Sequence, residues 1–549
     1  MPAAANANIA RHLDSMAAAQ PRTPALKIPR GRTRSGDIDY LALTFAELAA
    51  EAAAWEARLD REGVRRGDRT LVMVRPGLPL IGAAFGLFRL GAVPVIIDPG
   101  MGLGNFLACV ARTRPRALVG IPVARIASRI FRRSFATVGA RVSVSGSLTA
   151  RLAPAAASVP ALPGPAHPAE AGDLAAILFT SGSTGPPKGV CYEHGMFEAQ
   201  IRLIRDAYGI VPGEVDLPLL PIFALFNPAL GMTSVVPEID PRRPAAVDPA
   251  KIVQAIRQEG VTNSFGSPTL WRIIGDYCRA RGITLPSLRR VLCAGAPVPA
   301  ELWRGAGAFL PNGRLHSPYG ATEALPVSSI AGDGIARPPG VQGAPVGRPL
   351  PGIDVRIIEV ADGPIAAMAD AREPPRGRVG EIIVRGPVVT KAYDALPEAT
   401  AAAKIPGDGG SIWHRMGDCG ALDETGALWF HGRKAERVET ESGVLHTEPC
   451  EQVFRVHPRA ARCALIGLGL RGRQRPALVV ETRVKSAAEA RLLARELGAL
   501  GRQSPHAAEI RIFYFRPKFP VDVRHNAKIH RLALARWAAT ARGFEAANP

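Results

Sequence analysis

At 549 residues the chain exceeds one ordinary core and calls for two or more structural units. Hydrophobic residues at 47% and charged residues at 21% match a folded globular protein and exclude a disordered or fibrous one. The net charge of +20 is dispersed and arginine-rich, which reads better as a basic solvated surface than as specific nucleic-acid binding.

In chain order, the N-terminus has no basic region followed by an apolar run, so a signal peptide is not expected and a cytoplasmic location is. The apolar stretch 78–97 is broken by Arg89, Gly91 and Pro94. It reads as a buried helix followed by a strand, and no transmembrane segment is expected. LVMV at Leu71, VPVII at Val93 and ALVGI at Ala117 alternate with helical segments, which predicts parallel strands with crossover helices. Residues 121–135, IPVARIASRIFRRSF, place Val123, Ala127, Ile130 and Phe131 on one helical face and Arg125, Arg129, Arg132 and Arg133 on another. Two readings stand: an amphipathic surface helix packed on its own domain, or a peripheral contact with a membrane or partner. A Pro- and Ala-rich stretch, 153–169, is a linker or exposed loop.

A second α/β block follows, with AAILF at Ala175, TNSF at Thr262, RVLCA at Arg290 and LHSPY at Leu315 each running into a Gly- or Pro-bearing loop. Ligands of such folds sit at the carboxyl ends of the strands, and the unusual polar motifs fall there, after Phe179, Ala294 and Ser317. Residues 355–430, with EIIVRG and ALWFHG, predict a small antiparallel unit. Beyond Lys434, ALIGL, ALVVET, IRIFYF and a helix near Leu492 predict a compact α+β terminal domain. Seven scattered cysteines without a CxxC pair suit reduced core thiols, and no structural zinc site is expected.

The strongest motif is LFTSGSTGPPKGV, a buried strand opening into small hydroxyl and glycine residues and ending in a lysine. Thr180, Ser181, Ser183 and Thr184 offer hydroxyls, Gly182 and Gly185 let backbone amides approach a polyphosphate, and Lys188 adds a compact positive charge. It is not a Walker A loop, because two prolines precede the lysine and glycine follows it. The segment resembles the signature loop of the acyl- and aryl-adenylating superfamily, and further motifs occur in that superfamily's order. The resemblance implies an α/β fold: a large N-terminal adenylate-forming domain of doubly wound sheets with a small antiparallel unit, 1–433, and a mobile α+β C-terminal domain, 434–549. It implies ATP and Mg²⁺ as well.

By the same resemblance, Gly295, Ala296 and Pro297 of CAGAP line the adenine and acyl pockets. In SPYGATE, Tyr319 stacks on adenine, Thr322 contacts phosphate and Glu323 holds magnesium, a hard cation that needs carboxylate oxygen. Asp418 and Arg433 match the ribose-binding acid and arginine, Glu436 the hinge. Lys528 in HNAKIHR matches the lysine that neutralises charge in adenylation.

Two departures bear on the acid and its acceptor. PIFALFNPALG carries Ala224 where many acyl-CoA ligases carry histidine, and VETESGVLHTEPCE carries Thr447 and Pro449 where proline and glutamate are common. Whole strings such as FGSPTL, GRKAERVET and FPVDVRHNAKI resemble the β-lactone synthetase branch of bacterial long-chain olefin biosynthesis. That branch implies adenylation of a long-chain 2-alkyl-3-hydroxy acid, ring closure through its own 3-hydroxyl, and neighbouring olefin-pathway enzymes as partners. Phe223, Phe226, Phe265 and Trp271 are the expected lining for two alkyl tails, or plain core aromatics. His316, His414 and His446 flank motifs and are candidates for the base on the hydroxyl, or structural histidines. An acyl-CoA or acyl-carrier ligase of the same superfamily is the alternative, and a non-catalytic nucleotide or polyanion-binding protein is the reading from a different class.

Overall fold

The computed structural model describes residues 6–144, 162–180, 186–240, 246–332, 342–522 and 528–546. Ser181, Gly182, Ser183, Thr184 and Gly185 of the phosphate loop lie outside them, as does much of the 153–169 stretch.

The near-continuous apolar runs of the first block form a six-stranded sheet. Its order is Ala140–Ser143, Ala117–Gly120, Arg69–Met73, Val93–Ile96, Leu174–Thr180 and Lys188–Glu193, parallel except for the last pair. Strands buried on both faces need helices on both faces. The helix Phe45–Arg61 begins at a capping box in which Thr44 and Glu47 satisfy each other's backbone amides. It packs on the helix Leu78–Leu90 through Trp55, which fills the space where Gly82 and Gly86 have no Cβ.

The larger sheet has fourteen strands. Parallel strands Asn263–Gly266 and Arg290–Cys293 lead to Arg314–Ala321, which pairs parallel on one side and antiparallel with Ala324–Ala331 on the other. The antiparallel part continues through Ala344–Pro349, Leu428–Arg433, Ile412–Leu422, Gly380–Arg385 and Asp354–Ile358. The antiparallel unit anticipated at 355–430 is therefore not free-standing: its strands extend the parallel sheet. The strand of Tyr319 is where the pairing changes.

The last part has its own four-stranded sheet, Cys463–Leu468, Arg475–Glu481, Ile512–Arg516 and Phe544–Glu545. The helix Ala487–Arg502 crosses over between its parallel central strands. Val438, Phe454, Leu478, Leu493 and Phe513 form its core. All seven cysteines are free thiols. Among the described residues no helix is long and apolar enough to cross a membrane.

One buried ion cluster ties the antiparallel strands to the start of this part. Glu381 accepts from Arg415 Nε and Nη2 at 3.1 and 2.7 Å and from Lys434 Nζ at 2.9 Å, and Glu381 and Arg415 are both almost wholly enclosed. Removing one member of such a cluster leaves an undercompensated buried charge. Arg415→Ala is expected to lower unfolding free energy by roughly 3–5 kcal/mol. Loss of the exposed Arg65–Asp60 pair, through Arg65→Ala, is expected to cost about 1 kcal/mol or less. Urea unfolding of the two variants checks the contrast.

Candidate active site

The motifs meet where the parallel strands end. Cys293 closes a strand, and Gly295 turns the chain with φ of +99°, a conformation that favours glycine, placing Ala296 and Pro297 just beyond it. Tyr319 sits near the end of the next strand, with Thr322 and Glu323 in the turn that follows.

Asp418 and Arg433 are direct cross-strand partners. Tyr319 donates its hydroxyl to Asp418 Oδ2 at 2.7 Å, and Arg433 Nη1 lies 2.9 Å from Asp418 Oδ1. The same Nη1 donates to Met416 O at 3.2 Å, and Oδ1, buried, receives no aligned hydrogen bond among the described residues. A buried carboxylate oxygen without a donor calls for one. Ribose hydroxyls would supply it, so the residues fit a nucleotide. Burial raises the Asp418 pKa, opposed by Arg433, by the Tyr319 hydroxyl and by Lys528.

Lys528 reaches this cluster from the C-terminal part. Burial and the Arg433 guanidinium lower its pKa, while Asp522, Asp418 and Glu323 draw it back up. Its segment is pinned by reciprocal backbone contacts: Lys528 N donates to Asp522 Oδ1 at 3.0 Å, and Asp522 N to Lys528 O at 3.1 Å. Three residues on, Arg531 donates to Glu436 Oε2 at 3.0 Å and to both oxygens of Glu451 at 2.7 and 2.8 Å. Glu436 is buried, and its partner lies next to the lysine segment.

Three residues that sequence reading missed meet around Thr322 and Glu323. The Tyr192 hydroxyl donates to Thr322 O. The Tyr393 hydroxyl donates to Glu323 Oε1 at 2.8 Å, and Lys188 Nζ stands 4.8 Å from the centre of the Tyr393 ring. Lys404 Nζ is 5.9 Å from the same ring and donates to Thr390 Oγ1 at 3.2 Å. Thr390 in turn donates through N and Oγ1 to Glu323 O, at 2.9 and 3.2 Å. Burial brings the Lys404 ammonium down to about 7, against the pull of Glu323. The available signal was a lone lysine ending an alanine-rich helix, Pro397–Ala403.

The aromatic residues separate into two groups. Phe223 stacks on Phe265 at 3.8 Å and neighbours Phe226 at 6.5 Å. Phe226 leads to Phe197 at 6.2 Å, and Phe197 stacks on Tyr192 at 4.9 Å. The run therefore ends at the tyrosine that touches Thr322. Trp271 is elsewhere: it is fully buried in a separate core and stacks 6.4 Å from Phe309. Its size and position make it a core aromatic behind Gly266, not a member of this run.

His414 is buried, and His316 and His446 are half-buried. Burial with Arg290 and Arg314 lowers His316 to about 4, burial with Arg437 lowers His446 to about 4, and burial with Lys404 lowers His414 well below the usual range.

A buried acid short of a donor, beside a tyrosine near a strand end and a lysine from the C-terminal part, fits a nucleotide-using enzyme. The chain belongs to the AMP-binding enzyme family, whose sequence model matches residues 13–394. It is similar, at 44% identity over 97% of this chain and 98% of the relative, to an olefin beta-lactone synthetase of Xanthomonas campestris pv. campestris. The olefin beta-lactone synthetase of Stenotrophomonas maltophilia is 43% identical over 97% of this chain and 98% of its own. Among solved structures, the fold matches the O-succinylbenzoate Coenzyme A synthetase of Bacillus subtilis in complex with ATP and magnesium ion. There the TM-score is 0.75 and the identity 20%, over 95% of this chain and 98% of that one.

The depressed Lys404 gives a signed pH prediction. Its unfolded form stays protonated to about 10.4, while the folded form releases its proton near 7. The unfolded state therefore binds more protons between those values, and stability rises with pH across that window. Lys404→Met is expected to raise Tm at pH 7, with the gain shrinking as pH approaches 10. Thermal unfolding of both proteins at the two pH values checks the sign.

Proposed function

We propose that this chain is an ATP-dependent β-lactone synthetase acting on a long-chain 2-alkyl-3-hydroxy acid. The near end-to-end similarity to two olefin beta-lactone synthetases carries the reading. In the first half-reaction a carboxylate oxygen of the acid attacks the α-phosphorus of ATP, and the bond to the β-phosphate oxygen breaks to release pyrophosphate. In the second, the acid's 3-hydroxyl oxygen attacks the acyl carbon, its proton is lost, and AMP leaves with the anhydride oxygen. A free acid resists closing a strained four-membered ring, whereas the adenylate offers a good leaving group. Holding hydroxyl and carbonyl together removes the need for a second substrate.

The chain's own residues take these parts. Asp418 accepts the ribose hydroxyls, with Tyr319 and Arg433 holding its carboxylate in place, and the Tyr319 ring lies against adenine beside Gly295, Ala296 and Pro297. Residues 180–185 and Lys188 cradle the phosphates, with Thr322 beside them. Lys528 meets charge developing at the α-phosphate, in a buried setting where such a cation acts strongly. Glu323 would hold magnesium, keeping Oε2 beyond the Oε1 that takes the Tyr393 hydroxyl. Among the described residues no three acidic, histidine or cysteine side chains gather as a metal cage, which suits an ion held chiefly by phosphate oxygens. That ion, when bound, offsets phosphate charge.

Phe223, Phe226 and Phe265, joined through Phe197 to Tyr192, line the place for alkyl tails, with Ala224 buried among them where a polar gate is common. The division at 433/434, with Glu436 as the turning point, would let the C-terminal part withdraw Lys528 after adenylation.

Incubation with ATP, magnesium and a 2-alkyl-3-hydroxy acid is expected to yield AMP, pyrophosphate and β-lactone without any thiol, read by mass spectrometry. A strict requirement for CoA or a carrier thiol would overturn the lactone reading in favour of an acyl ligase. In the same assay Lys528→Ala is expected to slow pyrophosphate release by roughly 10²–10³-fold, with ATP affinity changed little. Unchanged turnover would remove Lys528 from the chemistry.

A further inference from the structure

The basic segment set aside at residues 121–135 is built differently from its simplest reading. Its helix, Pro122–Ile130, does not turn its large aliphatics inward: the fully enclosed positions are the small Ala124 and Ser128. Ser128 Oγ donates to Arg125 O at 2.7 Å and accepts from Arg141 Nε at 3.1 Å, fixing that side against the domain. Phe131 packs partly on the core, as Phe135 does fully. Val123, Ile126 and Ile130 are left 65%, 56% and 67% exposed. At 100° per residue, with Val123 taken as 0°, Ile126 falls at 300° and Ile130 at 340°, so the three form one outward stripe opposite Ala124 and Ser128.

The charge around this stripe is of one sign. Between Asp98 and Glu170 the chain has no acidic residue and nine arginines. Arg114, Arg116, Arg129, Arg132 and Arg133 are exposed. Among the described residues none of these five has a carboxylate within ion-pair distance, in a protein where many other arginines do. The helix connects Ala117–Gly120 to Ala140–Ser143, the outermost strand of the six-stranded sheet, so it lies at an edge of the molecule.

We propose that this edge docks on an anionic lipid bilayer, with Val123, Ile126 and Ile130 entering the headgroup boundary and Arg129, Arg132 and Arg133 meeting lipid phosphates. A row of exposed aliphatics framed by guanidinium groups suits that boundary: the alkyl groups leave water while each arginine engages phosphate with two parallel donors. A nucleic acid would match the charge but offers no apolar layer for three aliphatic side chains. A protein partner would have to bring a strongly acidic rim around an apolar centre. The proposal stands on the helix alone and does not depend on which acceptor closes the reaction.

The test is co-sedimentation of the full chain with vesicles mixing phosphatidylcholine and phosphatidylglycerol, against vesicles of phosphatidylcholine alone. The wild-type protein is expected to pellet with the mixed vesicles and stay in solution with the neutral ones, and added salt is expected to weaken the association. Ile126→Glu with Ile130→Glu, and separately Arg132→Glu with Arg133→Glu, are expected to weaken partitioning by about tenfold or more. Both variants are expected to keep the wild-type Tm and AMP formation with a short soluble hydroxy acid. Absence of vesicle binding, equal binding to both vesicle types, or binding undiminished in both variants would each overturn the proposal. So would protection of this helix by a purified protein partner while vesicles leave it unprotected.

Discussion

The arrangement turns on one buried carboxylate. Asp418 is held between strands, its Oδ2 taken by the Tyr319 hydroxyl and its Oδ1 beside Arg433 without an aligned donor among the described residues. A buried charge persists only when neighbours compensate it, and here each neighbour comes from a different segment. Tyr319 marks the strand where pairing changes from parallel to antiparallel, Arg433 the strand next to Asp418, and Lys528 the C-terminal part. Satisfying this acid therefore fixes the mutual positions of the elements that a nucleotide would touch.

A second network plays the matching role for the C-terminal part. Arg531 binds Glu436 and Glu451 at once, Arg455 binds Glu448 and Glu451, and all three carboxylates are buried. Carboxylates that are enclosed and shared in this way resist small displacements, so the part is held as a unit and not by loose surface contact. Because Arg531 follows Lys528 by three residues, holding the arginine holds the lysine's approach.

Much of this was legible in the sequence because the relevant signals are local. The strands at Leu71, Val93, Ala117, Ala175 and Arg290 show as short apolar runs, since parallel strands are buried on both faces and carry little alternation. The motif residues fell at strand ends because small and polar residues interrupt those runs there. What escaped was tertiary. Tyr192, Tyr393 and Lys404 sit in ordinary-looking segments, and their meeting around Glu323 depends on strands far apart in the chain. Trp271 was indistinguishable from Phe265 by composition alone, and only packing assigns it to a separate core. The helix Pro122–Ile130 shows the same limit: periodicity gives an apolar stripe but not the side on which the domain lies.

The charge balance around Glu323 and Asp418 bears on what the site is built to receive. Lys188 and Lys404 face the Tyr393 ring, Arg433 and Lys528 face Asp418, and against these four cations stand Glu323 and Asp418. The pKa values of Lys404 and Lys528 are lowered first by burial, with Arg433 lowering Lys528 further and Glu323 drawing both back up. A polyanion entering beside these lysines would favour their charged forms.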